Sequence, residues 1–163
     1  MTHQRPSLSY VSGLISDPVE MVAAVSGWAH RFTPQEGPGL DDMSARYATF
    51  VADGGDYDTL KGFLALDLLP APPRWLVLQQ YQHGDYSLPR RLHMDLPVSR
   101  EEVSWVATCP LTRDAADGVT IWGGDRFVRL TDERGLAVIA DADAWYWTSP
   151  VQGDIRYAMT LGG

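Results

Sequence analysis

Between residues 75 and 161, seven short β-rich segments follow one another, and they limit the fold more than any other feature of the chain. They lie at 75–81 (WLVLQQY), 102–108, 119–122, 127–130, 136–140, 145–148 and 155–161. Valine, isoleucine, threonine and aromatic residues dominate them, and these side chains favour a pleated, half-buried surface. Turn signals separate the segments: Asp117-Gly118, Gly123-Gly124-Asp125 and Glu133-Arg134-Gly135. Short strands at such spacing predict an antiparallel sandwich or barrel.

Upstream of Pro70, Pro72 and Pro73 the periodicity is helical instead. Over 17–32 the apolar residues Val19, Val22, Ala23, Trp28 and Ala29 recur at helical spacing. Asp17 stands at the N-cap and Pro18 at the favoured first position. A Pro/Gly-rich stretch at 33–39 breaks the chain. A second helix is predicted over 40–51, with Asp41 and Asp42 where its dipole favours negative charge. Gly54-Gly55 ends it, and a short third helix is predicted over 59–66. The expectation is one domain over 1–163, with helical support at 1–74 and the β core at 75–163.

Composition narrows the function. A chain of 163 residues with 45% hydrophobic and 21% charged residues has material for one buried core. Its formal net charge of -8 argues against nucleic acid as a partner, because phosphate binding needs a surplus of Lys and Arg. A single cysteine, Cys109, allows no internal disulfide and suits a reducing compartment. It has no neighbouring base in sequence and reads as a small buried hydrophobe. The polar start of the chain and the absence of a long apolar run lead to the expectation of a soluble, cytoplasmic protein without a membrane partner.

The segment 78–95 reads LQQYQHGDYSLPRRLHMD. A strand ends in Tyr81, a Gly84-Asp85 turn follows, and His93-x-Asp95 comes next. Further on stand Leu111, Asp117-Gly118 with Val119 to Trp122, and then Ser149-Pro150-Val151, with Gly153, Arg156 and Tyr157 beyond. These pieces, in this order, resemble the prolyl-hydroxylase-like branch of the Fe(II)/2-oxoglutarate-dependent oxygenases, over about residues 75–161. The resemblance implies an α+β, mainly β fold: a double-stranded β-helix (jelly-roll or cupin-like) core with N-terminal supporting helices. It implies Fe(II) and 2-oxoglutarate as cofactors, His93 and Asp95 as metal ligands, and Arg156 as the group binding the distal carboxylate of 2-oxoglutarate, helped by Tyr81.

One departure matters. The family's second histidine ligand falls on Tyr146, and no histidine follows His93. At the commoner, shorter spacing, Arg90 instead of His93 falls on the first ligand position. Tyr146 is open to three readings: a phenolate ligand, a general acid, or an aromatic filling the space left by the histidine. A phenol pKa near ~10 makes ligation demanding. Arg156 suits bidentate carboxylate binding by its planar fork, and Arg90 or Arg91 offers a second cationic contact at the mouth. Trp122, Trp145 and Trp147 fall near the expected cavity, where aromatics suit an apolar substrate as well as they suit a barrel core.

Three functions stay open at this point. One is an oxygenase with an altered metal site, acting on a small molecule or amino-acid derivative. Another is a metal-independent enzyme that keeps a pocket for a small-molecule carboxylate ligand. The third is a non-catalytic subunit that binds a partner protein, or a second copy as a homodimer, through its aromatic surface.

Overall fold

The computed structural model describes residues 8–34, 47–112 and 118–163. Eleven strands and two α-helices run in the order β1 (Ser9–Val11), α1 (Pro18–Ser26), β2 (Thr33–Pro34), β3 (Ala48–Ala52), α2 (Gly54–Lys61), β4 (Trp75–Gln82), β5 (Arg90–Arg91), β6 (Val106–Pro110), β7 (Gly118–Trp122), β8 (Phe127–Thr131), β9 (Ala137–Ala140), β10 (Trp145–Thr148) and β11 (Ile155–Gly162). All named strand pairs are antiparallel. They form a seven-stranded sheet, β1-β9-β6-β11-β4-β3-β2, and a four-stranded sheet, β5-β10-β7-β8. The two sheets form a jelly-roll, double-stranded β-helix core, the architecture implied by the strand pattern and the resemblance. No helix among the described residues is long and apolar enough to cross a membrane.

The large sheet is covered on both faces. Leu76 and Leu78 of β4 and Tyr157, Met159 and Leu161 of β11 pack with Met21 and Val25 of α1 and Leu60 of α2. Val77 of β4 joins Val119 and Ile121 of β7 and Tyr146 of β10 in a second cluster between the sheets. Double burial explains why 75–78 reads as an unbroken apolar run. It also makes the polar residues on the inner face conspicuous, because a buried polar group needs a partner.

Helix α1 begins as its sequence dictates: the Asp17 side chain accepts from the Glu20 amide at 3.1 Å, and Pro18 opens the helix. It stops at Ser26, and only a 3-10 turn, Ala29–Arg31, continues toward Phe32. The helix expected over 40–51 is corrected at its C-terminal end, where Ala48–Ala52 form β3; 40–46 lie outside the described residues. Pairing with β4 (Phe50 opposite Leu78) overrides the local pattern, and it puts the Phe50 ring against Trp28 and Phe32 at 5.7 and 5.8 Å. Gly54-Gly55 opens α2 instead of ending a helix, and α2 shares only 59–61 with the helix expected there. The first 74 residues therefore supply three strands of the large sheet as well as the helices.

Candidate functional site

Strand alternation decides what faces the barrel interior. On β10 and β5, Tyr146 pairs with Arg90 and Trp145 with Arg91. Tyr146 is 1% exposed and belongs to the inter-sheet cluster, so Arg90 shares the inner face and Arg91 the outer. Arg90 stands at the centre of a polar group. Its Nε lies 2.6 Å from Asp95 Oδ1, its Nη2 donates to the Tyr146 hydroxyl at 3.1 Å, and its Nη1 donates to the Tyr47 hydroxyl. The guanidinium carbon sits 4.6 Å from the Tyr47 ring centroid and 5.4 Å from that of Tyr146.

Asp95 ends a 3-10 turn, Leu92–Asp95, and is sealed from solvent. It accepts from Gln79 Nε2 at 2.7 Å and Thr160 Oγ1 at 3.2 Å in addition to its ion pair. Burial is the largest influence on Arg90 and opposes its charge, but the Asp95 carboxylate, together with Tyr81 and Tyr47, holds the guanidinium pKa above its ordinary value. Burial also drives the Tyr47 phenol well above the tyrosine range, against the pull of Arg90, so it stays a neutral hydroxyl.

His93 belongs to the same turn but faces elsewhere. Its Nδ1 lies 2.9 Å from the Ala142 carbonyl oxygen and 3.7 Å from Asp143 Oδ1. The structure thus brings Asp95 together with Arg90 and Tyr146, and does not bring His93 to them.

A second polar group lies on the paired strands β4 and β11, where Tyr81 is opposite Arg156. Arg156 is directed inward, 1% exposed, with its guanidinium carbon 5.3 Å from the Tyr81 ring centroid. Its fork is engaged by Asp132, just beyond β8, with Nε to Oδ2 at 2.6 Å and Nη2 to Oδ1 at 3.0 Å. Tyr81 stacks on Tyr47 at 5.0 Å, and its hydroxyl accepts from Thr148 Oγ1 at 3.3 Å. The Gly84-Asp85 turn ties in as its motif suggests: with Gly84 at φ +84, its amide and the Asp85 carbonyl both bond to Val151. A cavity of about 250 Å³ opens beside this group, lined among others by Thr108, Val119, Leu130, Asp132, Val138 and Arg156.

Trp122, Trp145 and Trp147 correct an expectation. Tyr146 and Ile121 take the inner face of the small sheet, so the three tryptophans lie on its outer face, Trp145 under Arg91 and the other two against Phe127. They do not line the cavity. Among the residues singled out in the sequence, Asp132, Tyr47, Gln79 and Thr160 are missing. Asp132 reads locally as part of a surface turn and Tyr47 as part of a helix. The alternation of Gln79 with Leu78, and of Thr160 with Leu161, is the signal that could have found the last two.

Fe(II) does not fit the residues present. Its position by resemblance, beside Tyr146, is filled by a guanidinium that stays protonated in proteins. The one carboxylate there is already paired with that cation, and the imidazole points away. Among the described residues, no three or more of His, Cys, Asp and Glu gather as metal ligands do.

No protein-family model and no curated protein matches the chain. Solved structures do match, and the fold they define is that of the 2-oxoglutarate/Fe(II) oxygenases. A Pseudomonas putida prolyl-4-hydroxylase superposes with a TM-score of 0.64 at 12% identity, covering 98% of this chain and 92% of that one. The non-heme α-ketoglutarate-dependent carbocyclase SnoK from nogalamycin biosynthesis gives 0.71 at 12%, covering 98% and 80%. The epimerase SnoN of the same biosynthesis gives 0.69 at 13%, covering 98% and 78%.

Proposed function

We propose that this chain acts on a small, carboxylate-bearing molecule through an oxygenase barrel whose metal site has become an organic one, with Arg90 in place of iron. The observation that carries this reading is the Arg90–Asp95 pair at 2.6 Å beside Tyr146. A fixed guanidinium supplies positive charge without redox chemistry, and a ligand carboxylate would take the place of the two tyrosine hydroxyls on Nη1 and Nη2 while Asp95 keeps Nε. Arg90 keeps 15% of its side chain exposed whereas Asp95 keeps 2%, so a ligand meets the cluster from the arginine side. The Tyr146 hydroxyl, oriented by Arg90, is the proton-bearing group next to that anchor, suited to acid–base steps of the isomerisation, cyclisation or elimination kind. Likeness to SnoK and SnoN, a carbocyclase and an epimerase of a biosynthetic route, supports a small molecule as the substrate class.

A second reading keeps iron, with His93 and Asp95 as ligands and Arg156 and Tyr81 on 2-oxoglutarate. The cofactor dependence of SnoK and SnoN favours it. Anaerobic titration of Fe(II) and 2-oxoglutarate into chelator-washed protein separates the two. Our reading expects no visible metal-to-ligand charge-transfer band, and ligand binding that survives chelator. A band in the wild type that is lost in His93→Ala would establish the iron reading instead.

A further inference from the structure

We infer that Asp132 is a specificity-determining residue: a resident carboxylate that fills the Arg156 fork and keeps free carboxylates out of it. The inference rests on Arg156 standing where the resemblance places a co-substrate carboxylate, and it adds to the proposed function an account of what the second polar group rejects. Both Asp132 oxygens meet the fork, at 2.6 and 3.0 Å, and the two side chains are 3% and 1% exposed. That is the bidentate geometry in which an arginine holds a ligand carboxylate. Here the carboxylate belongs to the chain, delivered from the end of β8.

Tethering decides the competition. Even a short flexible linker presents a group at an effective concentration of about millimolar, and Asp132 is fixed by a paired strand one residue away. A free carboxylate must displace it and take from Asp132, 3% exposed at the wall of the cavity, its ion pair with Arg156, and breaking a buried ion pair is costly. The cavity beside the pair shows where a ligand comes closest: both Asp132 and Arg156 line it, together with apolar Val119, Leu130 and Val138. A small molecule seated there meets a neutralised ion pair, and its recognition falls to its apolar body and its hydroxyl or carbonyl groups.

Asp132→Ala removes the resident carboxylate and leaves the arginine beside the cavity. Calorimetric titration with acetate and with 2-oxoglutarate, in metal-free buffer against a chloride control, compares it with the wild type. The variant should acquire one acetate site that the wild type lacks, at least about tenfold tighter than any wild-type binding that depends on Arg156. That site should vanish in Asp132→Leu/Arg156→Met, where the pair is replaced by apolar groups. Asp132→Asn keeps the shape and drops only the charge, so it carries the same comparison by acetate-induced thermal shift if the alanine variant does not fold. Equal numbers of carboxylate sites in the wild type and in the folded variant would overturn the inference, and so would an asparagine variant indifferent to acetate. Wild-type 2-oxoglutarate binding that Arg156→Met abolishes, with no iron band, defeats this inference and leaves the iron-free reading standing.

Discussion

Arg90 carries the strongest consequences at the scale of single residues. It satisfies Asp95, Tyr146 and Tyr47 at once, so its removal strands a carboxylate that is 2% exposed. Arg90→Ala should cost about 3–5 kcal/mol in chemical denaturation, the range for breaking a buried ion pair. Arg90→Met/Asp95→Leu should regain much of that loss, because apolar replacement of both partners removes the stranded charge. A double variant as unstable as the sum of the singles would mean that the pair is not the unit of stability. Cys109 offers a simpler check. It is fully buried, and burial pushes its thiol up to about 12, so the folded protein should not react with a thiol reagent at pH 8. Labelling should begin only as denaturant unfolds the chain.

Elements show how far the sequence was legible. The strands of the C-terminal half, with one exception, stand close to where β-rich runs and turn residues put them, because every segment must be apolar on at least one side. The exception is 102–108, which follows a 3-10 turn at Arg100–Glu102 and becomes strand only from Val106. The end of the expected 40–51 helix was not legible: Ala48–Ala52 pair with β4, Ala48 opposite Gln80 and Ala52 opposite Leu76, partners far along the chain. Arg156 was legible as an inward residue because alternation on β11 fixes its face, whereas its Asp132 partner depends on how a turn folds back. Gly118 tests the small sheet itself. A Cβ there would lie 1.8 Å from the Leu130 carbonyl oxygen, so Gly118→Ala must push β7 from β8. We expect a loss of about 3 kcal/mol, measured by thermal or denaturant unfolding.

Across the whole molecule, a barrel with the fold of the 2-oxoglutarate/Fe(II) oxygenases holds ion pairs of the chain's own making in its polar interior. Two pairs, Arg90–Asp95 and Arg156–Asp132, stand at the two positions the resemblance reserves for a metal and a co-substrate carboxylate. The measurement that tests this most directly is Co(II) titration, followed by visible absorption, of the wild type and of Arg90→His/Tyr146→His. The account predicts no stoichiometric Co(II) site in the wild type. It predicts one equivalent bound by the double variant, where two imidazoles join the freed Asp95 carboxylate. One tightly bound equivalent in the wild type, lost in Asp95→Ala, would contradict it.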